Sequence, residues 1–444
     1  MNQIVEEALC RDAEQILREA VSAVEPAALV RRALQEDGTG VLPGGDGRLH
    51  VVAVGKGAAS MYEGFVSAID RHVDAAIVCT LSGLPTQPLG NLSHHVTSHP
   101  LPGPESVAAG EEIYRLAQAS GPSDRFVLLL SGGASSMMEM PRDGVGHDEV
   151  RETIHALHHS GATIHELNCV RKQLCRLKGG GLAAALGGAT ALGLILSDVI
   201  DDAEDVIGSG PLASDRTHPR QALDILRLYR LEGRTPTRIL RFLRERKAEK
   251  PTGLAPSVVA RVRTRVIGNG WTAARAAATE AIRLGYETEI LSPNLAGEAR
   301  EAGRFIAATA RLVATSVGPP DGARCMVCCG ESQVTLRGDG HGGSNQELAL
   351  AAAIGIDGLE ETLVASMDTD GVDGPTEAAG AFATGSTVSR ARERGIDCGA
   401  SLDKNDSHAV FASLDDLIVS GATGTNVSDL QVLLVGRRSE LLTE

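Results

Sequence analysis

The sequence predicts an α/β protein built as two domains. Three observations carry that prediction. The chain has 444 residues, more than one hydrophobic core usually organises. Short apolar runs of strand length alternate with stretches of helical period along most of it. Its 51 glycines stand against one tryptophan, four tyrosines and six phenylalanines, the balance of a protein with many strand-to-helix turns rather than an aromatic-rich β-sandwich.

In chain order, the strand candidates are residues 50–54, Ala75–Leu81, 126–130, 191–196, 265–268 and 288–291, followed by 325–329, 363–366 and 430–435. Their alternation with helices predicts parallel sheets joined by right-handed crossovers. The helices include Pro104–Ala119 and 271–284, while 166–186 reads as a helix interrupted by Gly179-Gly180-Gly181. Residues 231–256 are rich in Arg, Lys and Glu and carry Pro236, Pro251 and Pro256. They read as an exposed helix plus linker, which sets the expected domains at 1–245 and 256–444.

Charge and cysteine usage exclude several classes of function. Forty-two Lys and Arg against 57 Asp and Glu give a net charge of −15, with no basic run to meet a nucleic acid or an anionic membrane. Anionic substrates must therefore be met by locally placed cations. The opening 1–19 carries Glu6, Glu7, Asp12 and Glu14 and no continuous apolar core, so neither a signal peptide nor a membrane span is expected and the location is cytoplasmic. Eight scattered cysteines, some inside apolar runs such as Met326-Val327-Cys328-Cys329, lack zinc-type pairing. They read as buried thiols of a reducing compartment.

Four motifs in the first half carry chemistry. Gly55-Lys56-Gly57-Ala58-Ala59 follows a strand and opens a helix, where backbone N–H groups can receive an anion and Lys56 a carboxylate or phosphate. Gly55-x-Gly57-x-x-Ser60 nearly spells a dinucleotide fingerprint, but the next strand ends in Cys79-Thr80 without the acid that fingerprint needs. A solvent-facing turn lysine is the plainer alternative. Ser131-Gly132-Gly133-Ala134-Ser135-Ser136 follows the strand 126–130 as an anion nest, with a simple glycine turn as the alternative and a serine nucleophile lacking its Gly-x-Ser-x-Gly setting. Asn168, Arg171, Lys172 and Cys175 share one helical face ahead of Arg176, Lys178 and the glycines. That is either a phosphate site or a solvated basic face. Asp198, at the end of strand 191–196, is a metal or base candidate, whereas Asp201, Asp202 and Asp205 solvate or cap the next turn.

The second half adds Gly330-Glu331-Ser332 and the run Gly338-Asp339-Gly340-His341-Gly342-Gly343 leading into Asn345-Gln346-Glu347. Four glycines in that run preclude regular structure there and favour backbone contact with a ligand over a disordered loop. Asp368-Thr369-Asp370-Gly371-Val372-Asp373 imitates the start of a calcium loop, but the distal glutamate position falls on Ala379 and no helix precedes it. A magnesium-facing loop and an Asx-rich turn both remain.

Taken together, these blocks resemble the class II glycerate 2-kinase family with its C-terminal MOFRL-type domain. The resemblance rests on Val54-Gly55-Lys56-Gly57-Ala58, Leu130-Ser131-Gly132-Gly133-Ala134-Ser135, Asn168-x-x-Arg171-Lys172 through Lys178-Gly179-Gly180, Ser197-Asp198-Val199, Gly208-Ser209-Gly210-Pro211, Gly330-Glu331-Ser332, Asn345-Gln346-Glu347 and Thr369-Asp370-Gly371-x-Asp373-Gly374. Asn405-Asp406-Ser407 and Thr423-Gly424-Thr425-Asn426-Val427 also match. It implies a Rossmann-like parallel-sheet N-terminal domain and a smaller α/β C-terminal domain holding the MOFRL-type region at about 324–437. It further implies transfer of the ATP γ-phosphoryl group to D-glycerate in a cleft between domains, giving 2-phosphoglycerate, with Mg²⁺. No nucleic-acid or membrane partner is implied, and a homodimer is compatible with it.

Under that resemblance Lys56, Arg171 and Asp198 are the catalytic candidates. Ser131, Gly132, Gly133, Ser135, Lys178, Gly180, Glu331, Asn345 and Gln346 bind the nucleotide, and Asp198, Asp370 and Asp373 the metal. Ser344 departs from the family, which often carries an arginine there; His341 is the expected substitute charge. The rival readings are a nicotinamide-dependent hydroxypyruvate reductase and a non-catalytic sugar-acid sensor.

Overall fold

The computed structural model of this chain describes residues 2–36, 47–81, 92–249, 253–315 and 322–436. The expected linker proline Pro251 lies outside the described residues. The chain forms two compact units: Pro26–Ile267, and Met1–Glu25 together with Gly268–Glu444.

In the unit Pro26–Ile267 the strands are β1 Leu49–Val54, β2 Ala75–Leu81, β3 Leu92–Thr97, β4 Arg125–Leu130, β5 Thr190–Leu196 and β6 Val262–Gly268. They form one sheet in the order β3-β2-β1-β4-β5-β6, with parallel ladders from β3 through β5. Every residue of β1 is buried, and β4 and β5 each have only their first residue partly exposed. That explains why they read as continuous apolar runs: a parallel strand covered on both faces has no polar side to show. Val52, Val54, Leu128 and Leu130 pack with Ala109, Ile113 and Ala117 of the helix Pro104–Ala119. The edge strand β3 was not expected, because its Ser93, His94 and His95 face a half-covered border where apolar residues are not required.

Two expectations in this unit change. The interrupted helix is Ile164–Leu174, started by a Thr163–Glu166 capping box, followed by a separate short helix Gly181–Ala185. Between them Gly180 lies at φ +80°, where a Cβ would also stand 2.8 Å from the Ala213 carbonyl oxygen. The charged stretch after 231 is not simply exposed: the helix Thr237–Glu245 buries Ile239, Leu240 and Leu243 in a cluster with Leu223 and Leu226 of the helix Pro219–Leu228. Its three apolar residues share one face at helical spacing, and the arginines occupy the other.

The second unit holds β7 Glu287–Glu298, β8 Arg324–Gln333, β9 Thr362–Asp368, β10 Gly380–Thr384, β11 Leu417–Ile418 and β12 Asp429–Val435, in the order β11-β10-β9-β12-β8-β7. Among the described residues only β7 and β8 pair parallel; the other neighbours are antiparallel. The parallel expectation is corrected here. The β9–β10 connection is too short to hold a crossover helix, so the chain turns straight back. The helix Asn2–Ala23 also belongs to this unit rather than to a contiguous N-terminal domain. Tyr286 donates its hydroxyl to buried Asp12 at 2.6 Å, Gln15 donates to Glu280 at 2.6 Å, and Thr425 donates to the Val24 carbonyl at 2.7 Å. No described helix is long and apolar enough to cross a membrane.

Candidate active site

The strand order of the first sheet reverses between β1 and β4, the point at which sheets of this kind place their ligand crevice, beside the loops that leave the two strands. Here those loops are Gly55-Lys56-Gly57 and Ser131-Gly132-Gly133. They are tied together by backbone: Ser131 N–H donates to the Val54 carbonyl at 3.0 Å, Lys56 N–H to the Gly132 carbonyl at 2.9 Å, and Gly57 N–H to Ser131 Oγ at 3.0 Å. Gly55 sits at φ +127°, and any Cβ on it would overlap Ser131, so the close approach demands glycine.

These bonds redistribute the expected donors. The N–H groups of Lys56 and Gly57 are consumed in holding the loops together, whereas those of Gly132 and Gly133 donate to no group among the described residues. The amides left available for an anion, among the described residues, therefore belong to the β4 loop. His99, which the sequence reading passed over, stands against this loop: its Cδ2 would lie 3.1 Å from a Cβ at Gly133.

Next to these loops, three motif blocks are knitted into one network. Ser135 Oγ and Ser209 Oγ are 2.9 Å apart, Ser209 donates to Asn168 Oδ1 at 2.8 Å, and Asn168 donates to the Val206 carbonyl at 3.1 Å. Gly179 and Gly180 donate their N–H groups to the carbonyls of Ser209 and Gly210. The hydroxyl of Ser135 is thus engaged in joining the β4 loop to the 208–211 turn.

The basic face is not solvated; it is buried. Lys172, 3% exposed, bonds Asp205 at 2.9 Å and lies 3.5 Å from Asp215. Lys178, 1% exposed, is ion-paired with Glu139, itself 2% exposed. Glu139 was invisible in the apolar run Met138-Glu139-Met140, and its other oxygen, Oε1, has no hydrogen-bond partner. Arg171 is buried without an ion pair among the described residues. Burial pulls its guanidinium below the ordinary arginine range, and the Glu139 charge offsets part of that. Of the candidate cations, Lys178 is ion-paired internally, while Arg171 has no ion pair among the described residues and only the Glu139 charge to offset its burial. Gly180 lines a different cavity, none of whose walls comes from the β1 or β4 loops.

The other unit uses its motifs differently. Asn345 and Gln346 are both 0% exposed. Their backbone N–H groups donate to the two oxygens of Asp373 at 3.0 and 2.8 Å, so that carboxylate caps the helix Ser344–Gly355 from across a loop. Asn345 also donates to Asp429 at 2.7 Å and accepts from Ser366 at 2.6 Å; Gln346 donates to Thr376 at 2.9 Å and pairs with His408 at 2.9 Å. Glu347 binds Arg300 at 2.9 Å and accepts from Asn405 at 2.8 Å, and Asn405 accepts the N–H groups of Arg337 and Gly338 at 2.6 and 3.1 Å. Asp406 accepts the N–H of His341 at 3.1 Å. The conspicuous side chains here build the Gly-rich loop. Glu331 is exposed, just past Gly330 of β8, and the exposed His341 precedes Ser344, the first helical residue.

Magnesium usually takes one or two carboxylates plus phosphate oxygens. Asp198, half-buried two residues past β5, fits that donor set. In the 368–373 loop the carboxylates also serve the backbone: both oxygens of Asp373 accept N–H groups, Asp370 Oδ1 accepts from Val372 N–H at 2.8 Å, and Asp368 Oδ1 accepts from Asp370 N–H at 2.9 Å. Those are Asx turns, which resolve the carboxylate spacing without a cation. Among the described residues no three His, Cys, Asp or Glu side chains cluster in a metal-holding arrangement. The cysteines are free, all but Cys10 buried, and burial pushes thiols such as Cys79 and Cys325 up to about 12.

Residues 12–244 match the family described as a domain of unknown function (DUF4147), and residues 324–429 match the MOFRL family. The chain is 34% identical to a D-glycerate 2-kinase of Thermotoga maritima, covering 97% of this chain and 99% of that relative. It is 36% identical to a putative hydroxypyruvate reductase of Agrobacterium vitis, covering 88% and 100%. The crystal structure of a glycerate kinase from Thermotoga maritima matches with a TM-score of 0.84 at 34% identity, over 97% of this chain and 100% of that one. With both regions and nearly the full length in common, the chain belongs to the MOFRL-domain glycerate kinase family.

Proposed function

We propose that this chain is a Mg²⁺-dependent glycerate 2-kinase that transfers the γ-phosphoryl group of ATP to the 2-hydroxyl of D-glycerate, giving 2-phosphoglycerate and ADP. The observation that carries the reading is the pair of open N–H groups on Gly132 and Gly133, held at the reversal of strand order beside Lys56. Phosphoryl transfer asks a protein for positioning and charge neutralisation more than covalent chemistry. The Gly132 and Gly133 amides hold phosphate oxygens. Lys56 neutralises charge on the transferring group, and Arg171, a buried cation with no ion pair among the described residues, holds the substrate's carboxylate in a planar fork. Asp198 holds Mg²⁺ together with phosphate oxygens, and the ion supplies neutralisation of the charge that develops on them.

The strand order is also the one that binds dinucleotides, which favours the reductase as second reading. Against it, β2 and the residues directly after it carry no acid for a ribose hydroxyl. One experiment separates the two. Incubation with D-glycerate, ATP and Mg²⁺ should yield a phosphorus NMR signal split into a doublet by the single hydrogen on carbon 2. A triplet marks the 3-phosphate and refutes the position; no new ester, with NADH consumed on hydroxypyruvate, refutes the kinase.

A further inference from the structure

Outside the crevice, the unit Pro26–Ile267 contains a cavity of about 580 Å³, within the range of small-molecule sites, roughly 300–1,000 Å³. Its walls bring together three arginines, Arg142, Arg176 and Arg246, and one carboxylate, Asp143. In a chain of net charge −15 that is an unusual concentration of positive charge. Two of the guanidinium groups are held over aromatic rings, Arg176 at 5.9 Å from the Tyr114 centroid and Arg246 at 4.9 Å from that of Phe242.

The arginines are unequally compensated. Arg176 pairs with Asp143, which is 90% exposed, and Arg246 with the half-exposed Glu249 at 2.7 Å. Arg142 has no ion pair among the described residues, and its buried Nε has no hydrogen-bond partner. Burial, then the charges of Arg246 and Arg176, pull its guanidinium below the ordinary range. An anion in the cavity would relieve that repulsion. The neighbouring Gly180 and Gly181 N–H groups already serve the Gly210 and Lys178 carbonyls, so recognition falls to the guanidinium forks. Arg246 already bonds Glu249 through Nε and Nη2 and the Gln173 carbonyl through Nη1; a phosphate group, whose several oxygens can be shared among guanidinium groups, could take the place of the half-exposed Glu249 there while meeting Arg142.

We propose that this cavity is a second anion site, separate from the catalytic crevice, for a small molecule bearing a phosphate group. Inorganic phosphate, 2-phosphoglycerate and ATP are titrated calorimetrically, each alone, into the full-length wild type, Lys56→Ala, Arg142→Gln and Arg246→Gln. A site for at least one probe should persist in Lys56→Ala and weaken about tenfold in each arginine variant, as expected for one charge-assisted fork. The tightest probe identifies the source of the phosphate. Turnover of Arg142→Gln without added phosphate should stay within about twofold of wild type. The second variant covers the case in which the first fails to fold. Undiminished binding in the arginine variants, or no site surviving Lys56→Ala, overturns the proposal. So does a rise in KM for ATP in Arg142→Gln, which would make the cavity part of the substrate site.

Discussion

The two units carry equally conspicuous motifs and put them to opposite uses. In the unit Pro26–Ile267, small residues at the ends of β1 and β4 bond each other just enough to leave two amides and a lysine at the crevice. In the unit completed by Gly268–Glu444, Asn345, Gln346, Glu347, Asp373 and Asn405 satisfy one another in the interior. The contrast teaches that a block diagnostic of a family can be accounted for by the loop it builds. Side chains that fix a loop's path are held as tightly by physics as those that meet a substrate, since a buried polar group left unpaired is costly.

Three substitutions test that division. The largest effect is expected at Arg300, 2% exposed and bonded to equally buried Glu347 and to the Leu402 carbonyl. Arg300→Ala leaves Glu347 charged and unpaired, which costs about 3–5 kcal/mol; the melting temperature should fall on the order of 10 °C. A thermally unchanged variant with lost activity would turn the network into a ligand site and erase the contrast. Lys56→Ala should do the reverse: a folded protein of unchanged melting temperature whose kcat/KM falls about a hundredfold, the loss of about 3 kcal/mol from one contact made in the transition state. Wild-type kcat/KM would remove Lys56 from the crevice chemistry.

Asp373→Asn sharpens the comparison at the smallest expected cost. An amide NH₂ would face one of the N–H groups that the carboxylate now accepts, for a loss of about 1–3 kcal/mol in thermal stability with the Mg²⁺ requirement unmoved. A raised Mg²⁺ requirement would instead restore the loop as a metal site. The same residue gives a pH signature. Burial raises the carboxyls of Asp373 and Asp429 above their ordinary range. The folded state therefore binds protons that the unfolded state releases. Their favourable contribution is full below about pH 3.9 and is lost as pH rises through the folded values. Melting temperatures against pH for Asp429→Asn should show a shallower fall across that window than wild type.

The first sheet was legible because its strands are buried on both faces, so each of β1, β4 and β5 announces itself as an apolar run. The edge strand β3 and the antiparallel pairing of the second sheet were not, since pairing direction depends on where the chain returns and not on the composition of the strand. At the proposed site, glycines and hydroxyls marked the loops that leave β1 and β4. Glu139 was hidden, because an acid in an apolar run shows its role only when its partner Lys178 arrives from 39 residues away.

What the sequence alone determined is the class of the two units and the membership of the family blocks, both of which follow from local pattern and composition. Which amides of the β1 and β4 loops remain open, which cations are neutralised and which carboxylates cap a helix were decided only by tertiary structure. A hydrogen bond or ion pair is a property of two groups, and the sequence places them far apart: Asp373 serves Asn345 and Gln346, and Lys178 serves Glu139. Burial then sets the worth of each pairing, because an unpaired charge is tolerable in water and expensive inside.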